Sequence, residues 1–263
     1  MIIKKSIFLI LLNIMFGCSI SNPKEPETDE PKEKCPEGVC TEEKYEFPDI
    51  SGMTGWDKYP NLIQARLDCL QIPDACLETL TTKGLLETCY EYPYYGRLFL
   101  FDDPQIGFNA LVKRFNGYQE LFKRHDLINA LIEKYAAIGN EVPAILSQSD
   151  INKGEFSLRL FVFEMMLAQN VVVENLSEEQ EKTLVLLSFD NKEMINNNPD
   201  IFSNMHDVPR FLLYAKIVIN DPDFEFESVE QKNAVLNFIQ IPVDLDQQIA
   251  DYIENYIYEK YKQ

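Results

Sequence analysis

Leu158-Arg159-Leu160-Phe161-Val162-Phe163-Glu164-Met165-Met166-Leu167 decides the fold of this chain. The run is apolar on nearly all sides of a helix, and such a helix is buried rather than half-exposed. It therefore predicts a central helix around which the other elements pack. Glu164 is the exception within its inner part, Phe161–Met166, because a carboxylate is rarely buried without a partner.

Helical patterns surround this segment on both sides. Phe108, Leu111, Val112 and Phe115 follow the i, i+3, i+4, i+7 spacing of an amphipathic helix. Two helix starts are marked by Asp103-Pro104 and by the capping box Ser177-x-x-Gln180. Strand patterns are short, so we predict an all-α protein, either an irregular multi-helix bundle or a stack of helical hairpins. The folded domain is expected over 49–263. Two lobes could meet near residue 145, where 139–156 reads as a loop or short helix.

The first residues predict export and lipid attachment. Lys4 and Lys5 precede an apolar run of about ten residues, too short for a transmembrane helix but typical of a signal peptide. Gly17-Cys18 ends it, and the segment Met15–Cys18 resembles a bacterial lipobox. We therefore expect residues 1–17 to be a lipoprotein signal peptide and Cys18 to carry the lipid, with palmitate among its acyl chains. Ser19, rather than an aspartate, follows the cysteine, which by resemblance favours the outer membrane, on its periplasmic or cell-surface face.

Residues 18–48 predict a flexible tether. They are acidic and rich in proline, with almost no large aliphatic side chain before Tyr45. Such a segment buries too little apolar surface to offset its conformational entropy. At ~3.1 Å per residue, thirty such residues would reach at most about 90 Å from the membrane.

Six cysteines are present, and an oxidising compartment favours disulfides among those not acylated. Cys35 and Cys40 flank a turn-prone spacer, which suggests a small disulfide loop. The remaining three cysteines are Cys69, Cys76 and Cys89, and among them we expect one disulfide pair and one buried free thiol. The pairing itself does not follow from the sequence.

The charge of the chain excludes one class of partner. The formal net charge is −19, and removal of Lys4 and Lys5 with the signal peptide brings it to −21. Nucleic-acid binding needs clustered lysine and arginine, which are lacking here. The same excess disfavours electrostatic adsorption to anionic lipid, so the acyl group must hold the protein at the membrane.

Glu164 is the one candidate catalytic residue, because a buried carboxylate can act as a general acid. The alternative is that it pairs with an arginine or lies on the one wetted strip of its helix. His125-Asp126 and His206-Asp207 would form a metal or acid–base site only if the fold joined them. The simpler interpretation is that each aspartate caps the helix that follows.

Calcium loops at Asp150–Glu155 and Asp221–Glu227 are weak matches, and no metal or other cofactor is expected. Aromatic residues recur near the C-terminus. Tyr252 and Tyr256 share the inward stripe of the last helix, whereas Tyr258 and Tyr261 are the expected exposed pair. They are the weak candidates for partner binding, because exposed tyrosines anchor interfaces and stack on sugars.

Several segments carry a resemblance. RLDCLQIP at 66–73, TTKGLLETCY at 81–90, YPYY at 92–95 and GFNALVKRFNGYQEL at 107–121 resemble lipid-anchored helical proteins of gut anaerobic bacteria. The resemblance covers roughly residues 55–140 and implies export and a helical fold. It implies no activity, since that group has no assigned function.

The sequence contains no Gly-rich phosphate loop, Gly-x-Ser-x-Gly elbow, zincin motif or cysteine–histidine signature. We therefore expect a non-enzymatic binding or scaffold module, anchored in the envelope, for a protein, peptide or glycan partner. The alternative is an envelope hydrolase that uses carboxylate acid–base chemistry at Glu164.

Overall fold

A computed structural model describes residues 35–54, 56, 59, 61–243 and 245–262. Cys18, the expected signal peptide and residues 18–34 of the expected tether lie outside this part of the chain. The all-α prediction is confirmed, because 68 % of the described residues are helical and the sheet they contain has only two strands. Among the described residues, no helix combines the length and apolar composition that crossing a membrane requires.

The elements follow one another with short connections. Strands β1 (Val39–Cys40) and β2 (Tyr45–Glu46) pair antiparallel, with Val39 opposite Glu46. The α-helices of the described residues are α1 Leu62–Cys69, α2 Asp74–Thr79, α3 Thr82–Tyr90, α4 Pro104–Arg114, α5 Asn116–Leu121, α6 Leu127–Ala137, α7 Val142–Leu146, α8 Asp150–Leu167, α9 Asn170–Val173, α10 Glu178–Asn197, α11 Asp207–Asn220, α12 Val229–Gln240 and α13 Gln247–Tyr261. Short 3-10 segments lie at Tyr95–Leu100, Ile138–Asn140 and Asn204–His206.

Helix α8 is central, as the apolar run predicted. It packs against α3, α4, α7, α9 and α11, and every residue from Leu160 to Leu167 is buried. The helix begins earlier than expected, however, because Ser149 accepts a hydrogen bond from the Asn152 amide and caps it at Asp150. The loop or short helix expected over 139–156 is found as α7 in its first half, whereas the second half is wrong because it belongs to α8. Gly154 does not break the helix, because one interior glycine costs only about 1 kcal/mol and the apolar residues of α8 are stabilised by packing in the core.

Two other helix starts are as predicted. Asp103 accepts hydrogen bonds from the amides of Gln105 and Ile106 and caps α4, with Pro104 in the first turn. Ser177 and Gln180 form the reciprocal capping box of α10. These local signals succeed because every atom involved lies within three residues of the cap.

One hydrophobic core runs through the described residues. It extends without a break from Tyr45 to Tyr261, and residues from Cys35 onward form one compact unit. The division into two lobes near residue 145 is therefore wrong. The helices on either side of that point, α6 and α10, pack directly against each other.

Residues 35–48 belong to the folded body, so the boundary expected at residue 49 is wrong. The Tyr45 side chain is buried, and its backbone N–H donates to Thr88 Oγ1 at 2.9 Å. The ring of Phe47 packs edge-on to Tyr92. At Gly84 on α3, any Cβ would meet the Glu43 carbonyl oxygen at 2.6 Å, so a glycine is what lets this segment lie on the helix. We call residues 35–48 the N-terminal strap.

Two disulfides hold the strap to the first helices. Cys35 pairs with Cys69 of α1 and Cys40 with Cys76 of α2, at Cα–Cα distances of 5.3 and 5.9 Å. Both distances lie in the usual range for disulfides. The expected disulfide between Cys35 and Cys40 is wrong, because the strap lies along α1 and α2 and each of its cysteines bonds to one of these helices. The expected pair among Cys69, Cys76 and Cys89 is also wrong, since Cys69 and Cys76 each bond to the strap. Cys89 is the buried free thiol.

Candidate functional site

Glu164 lies in the core, with 4 % of its side chain exposed. Both of its carboxylate oxygens have partners. The Tyr135 hydroxyl of α6 donates to Oε1 at 3.1 Å, and His206 Nδ1 lies 2.6 Å from Oε2. The expected arginine partner is therefore wrong, as is the expected position on a wetted strip of the helix, because the partners of Glu164 are a histidine and a tyrosine of the core.

His206 extends the contacts to a fourth residue. Its Nε2 lies 3.1 Å from Ser157 Oγ, so one ring nitrogen faces the carboxylate and the other the hydroxyl. The ring packs edge-on to Phe161 and Phe202, which keep water away from it. We call Tyr135, Ser157, Glu164 and His206 the Glu164 network.

The positions of these residues follow from their elements. Ser157 and Glu164 are seven residues apart on α8, which is two helical turns and therefore the same face. His206 ends the 3-10 segment that leads into α11, and α11 packs on that face. The network thus joins α6, α8 and α11 at the centre of the body.

Tyr135 is held in its neutral form. Burial first, and the charge of Glu164 second, raise the pKa of Tyr135 well above its usual value. Its hydroxyl therefore keeps its proton and donates a hydrogen bond to the carboxylate. One hydrogen is shared across the 2.6 Å contact between Glu164 Oε2 and His206 Nδ1, and His206 Nε2 faces Ser157.

A hydroxyl, an imidazole and a carboxylate in series form the arrangement that activates a serine nucleophile. Two features oppose that use here. Ser157 and His206 are only 5 % and 1 % exposed, so the hydroxyl is shielded from a substrate. The Ser157 amide lies inside α8, where it is committed to the helix ladder and cannot stabilise an oxyanion. The geometry fits a buried structural linkage better than a catalytic centre.

The two histidine–aspartate pairs are not brought together. His206 lies in the core, whereas His125 lines a surface cavity beside Arg124. Among the described residues, no group of three or more histidine, cysteine, aspartate or glutamate side chains is placed to hold a metal ion.

The expected capping role of the aspartates is also wrong. Asp126 precedes α6 but its side chain accepts from the Thr82 hydroxyl. Asp207 pairs with Arg210 one turn along α11. Asp126 makes no side-chain capping bond, and the N-cap of α11 is His206 rather than Asp207.

The weak calcium loops are not formed. Asp150 and Asn152 lie on α8 rather than in a loop. Asp221 is occupied by protein donors, with Lys260 Nζ at 2.6 Å and the Tyr256 hydroxyl at 2.7 Å. Burial raises the pKa of Asp221, but these hydrogen bonds outweigh burial, so its pKa lies below the usual value.

The two tyrosine candidates differ. Tyr258 is exposed to 38 %, as expected, and its ring stands edge-on to Phe189. Tyr261 is buried, with its hydroxyl bonded to Glu181, so the expectation of exposure is wrong for this residue. It ends α13 on the face that turns towards the core. A two-tyrosine binding surface is therefore not formed.

A polar cavity of about 480 Å³ opens on the outer side of α8. Its walls come from α3, α6, α7 and α8, and we call it the α3–α8 cavity. Gln148 and Asn152 lie on one wall, where the Asn152 amide donates to Gln148 Oε1 at 2.8 Å. Both side chains are exposed, so their hydrogen-bonding groups are available to a ligand.

Charged side chains dominate the remaining lining, and they are paired. Lys134 Nζ lies 3.1 Å from carboxylate oxygens of both Glu87 and Glu141. Arg159 pairs with Glu155 at 3.6 Å. The fourth carboxylate is that of Glu91, which Lys44 of the strap contacts at 3.0 Å.

Tyr90 forms part of the cavity wall and is the one residue of this wall with a buried hydroxyl. The hydroxyl has no hydrogen-bond partner, and neither does the buried Nε of Arg159. Burial and then the charge of Glu141 raise the pKa of Tyr90 well above its usual value, so the hydroxyl remains a donor. Lys134 Nζ lies 4.4 Å from the centre of the ring.

A third cavity, of about 430 Å³, contains Lys216 and Lys260. Lys216 is buried and donates to the Ala168 carbonyl at the end of α8, at 2.7 Å. Burial lowers the pKa of Lys216 to about 8. Sequence reasoning missed this buried lysine, although the apolar residues on both sides of it form the same kind of pattern that singled out Glu164.

Sequence reasoning identified Glu164 but missed Ser157 and His206 as its neighbours. The spacing of Ser157 and Glu164 on one face of an apolar helix was the available signal. The approach of His206 was not available, since it depends on how α11 packs.

Comparisons with protein-family models, with curated proteins and with solved structures find no match for this chain.

Proposed function

We propose that this chain is a lipid-anchored envelope protein that acts as a non-enzymatic binding or scaffold module for a protein, peptide or glycan partner. The lipobox-like Met15–Cys18 and the acidic proline-rich segment after it support the anchor and its outer-membrane placement. The resemblance to lipid-anchored helical proteins of gut anaerobes supports the same address.

The observation that supports a binding role rather than catalysis is that Glu164, the one candidate catalytic residue, is engaged by other side chains. Both of its oxygens are occupied by Tyr135 and His206 inside the core, so it is not free to exchange protons with a substrate. The carboxylates of the α3–α8 cavity are paired with lysine or arginine instead.

The anchor is tested by growing the expressing cells with labelled palmitate. Wild-type protein should take up the label and fractionate with the outer membrane, whereas Cys18→Ala should be unlabelled. The matched control is Cys89→Ala, which removes the buried free thiol and should leave labelling unchanged. An unlabelled wild type would remove the basis for the envelope address.

A hydrolase is the second candidate, and the Ser157–His206–Glu164 series is the observation in its favour. It is tested with a fluorophosphonate probe, which labels activated serines. We expect no labelling, because Ser157 is 5 % exposed. Labelling that disappears in Ser157→Ala but persists in Ser147→Ala, an exposed serine of the same chain, would replace the binding role by an enzymatic one.

A further inference from the structure

We propose that the α3–α8 cavity binds a neutral saccharide. This inference rests on the binding function proposed above and assigns it a site and a class of ligand. The volume of about 480 Å³ lies within the range of about 300–1,000 Å³ found for small-molecule sites.

The charges of the cavity favour a neutral ligand. Its four glutamates are met by Lys134 and Arg159 within the wall and by Lys44 at the rim. An anion would have to approach four carboxylates. A cation would compete with lysine or arginine that already holds each of them.

The polar groups of the cavity match a ligand with many hydroxyls. A hydroxyl both donates and accepts, so it can face a carboxylate on one side and an amide or guanidinium on the other. Gln148 and Asn152 each offer an amide donor and acceptor, and Arg159 offers a planar set of donors. An apolar ligand would leave these groups without partners, which costs about 1–3 kcal/mol for each buried one.

Tyr90 and Arg159 supply an independent observation. Each has a buried polar atom without a partner, and both residues line the same cavity. Tyr90 lines this cavity beside Glu87, Glu141 and Arg159, and the charges of these three residues, together with that of Glu164 in the core, act on its hydroxyl. A ligand hydroxyl that enters as the half-buried Arg159 moves aside would give both atoms a partner.

The experiment measures binding of defined probes to the full chain, purified in detergent. The probes are neutral oligosaccharides of glucose, mannose, xylose and N-acetylglucosamine, with a heparin fragment as the anion and pentalysine as the cation. Asn152→Ala and Tyr90→Phe alter the cavity. Gln247→Ala is the matched control, because Gln247 is an exposed amide in an i, i+4 hydrogen bond with Asp251 on α13.

We expect at least one neutral oligosaccharide to bind. Asn152→Ala and Tyr90→Phe should each weaken it about threefold to tenfold, the effect of one lost hydrogen bond, and Gln247→Ala should leave it unchanged. Tyr90→Phe should melt no lower than wild type, since the hydroxyl has no partner in the free protein. A lower melting temperature would show that the hydroxyl is already bonded and would contradict the argument.

The remaining outcomes distinguish a failure of the saccharide site from a failure of the proposed binding function. Absence of binding by every neutral oligosaccharide, or binding that both cavity variants leave intact, overturns the saccharide site. Binding of pentalysine or heparin alone also overturns it, while the binding function stands. Cleavage of a bound oligosaccharide would keep the ligand class and refute the non-enzymatic role.

Discussion

Glu164→Gln gives the most direct test of the buried network. The substitution keeps the shape of the side chain and removes its charge. The Tyr135 and His206 groups at 3.1 and 2.6 Å would then face one amide oxygen and one amide nitrogen instead of two acceptors. One donor is left mismatched, and the other bond loses its charge.

The expected loss follows from these two bonds. A hydrogen bond to a charged group contributes about 1.5–3 kcal/mol and a neutral one about 1 kcal/mol. We therefore expect Glu164→Gln to lower the free energy of unfolding by about 2–3 kcal/mol. For a domain of this size that corresponds to a melting temperature lower by about 5–10 °C.

The assay is urea unfolding under non-reducing conditions, which keeps both disulfides intact. Glu155→Gln on the same helix is the control. Its carboxylate is half-exposed and 3.6 Å from Arg159, so its loss should change stability by less than about 0.5 kcal/mol.

A double-mutant cycle with Ser157→Ala adds a second criterion. Ser157 and Glu164 contact the same imidazole, so their effects should be non-additive by at least about 0.5 kcal/mol. Strict additivity, or a Glu164→Gln variant as stable as Glu155→Gln, would refute the description of these residues as one linkage.

Three further predictions concern other parts of the body. Each disulfide closes a loop with a sequence separation of 34 or 36 residues, so Cys35→Ser or Cys40→Ser should lower stability by about 4 kcal/mol in urea unfolding, and peptide mapping should lose only the corresponding bridge. Lys216→Met should raise stability near neutral pH by up to about 3 kcal/mol. The pKa of Lys216 falls from 10.5 to about 8 on folding, so between these pH values the unfolded chain binds more protons than the folded one. The stability of the wild type should therefore rise from pH 8 to 10.5, and thermal melts across this range should show no such rise for the variant. Asp221→Asn should cost about 2 kcal/mol at neutral pH. The pKa of Asp221 is depressed in the folded state, so the difference from wild type should vanish as the pH falls below 3.8 and through that lower pKa; a difference that persists in acid melts would contradict the assignment.

Local chemistry accounts for what the sequence predicted correctly. The caps at Asp103 and Ser177 and the burial of α8 depend on residues within a few positions of one another. Such patterns are readable because helix geometry fixes which neighbours meet.

Long-range packing accounts for what the sequence did not predict. The pairs Cys35–Cys69 and Glu164–His206 are 34 and 42 residues apart, and nothing in their surroundings specifies the partner. The error over residues 35–48 has the same origin, since their composition is that of a linker. Two disulfides and the buried Tyr45 give this segment the stabilisation that its composition lacks.

The strap also determines where mechanical load would enter the protein. With the lipid on Cys18, only residues 18–34 would separate the membrane from the first bridge, a contour of about 55 Å. Force applied through residues 18–34 would reach Cys35 and be transmitted through the disulfide to Cys69. It would therefore act on α1 rather than first detach the strap from the body. Reduction of the Cys35–Cys69 disulfide would move the point at which force enters the body to the next disulfide, at Cys40. The segment between the lipid and the body would then be longer, while the lipid attachment stays unchanged.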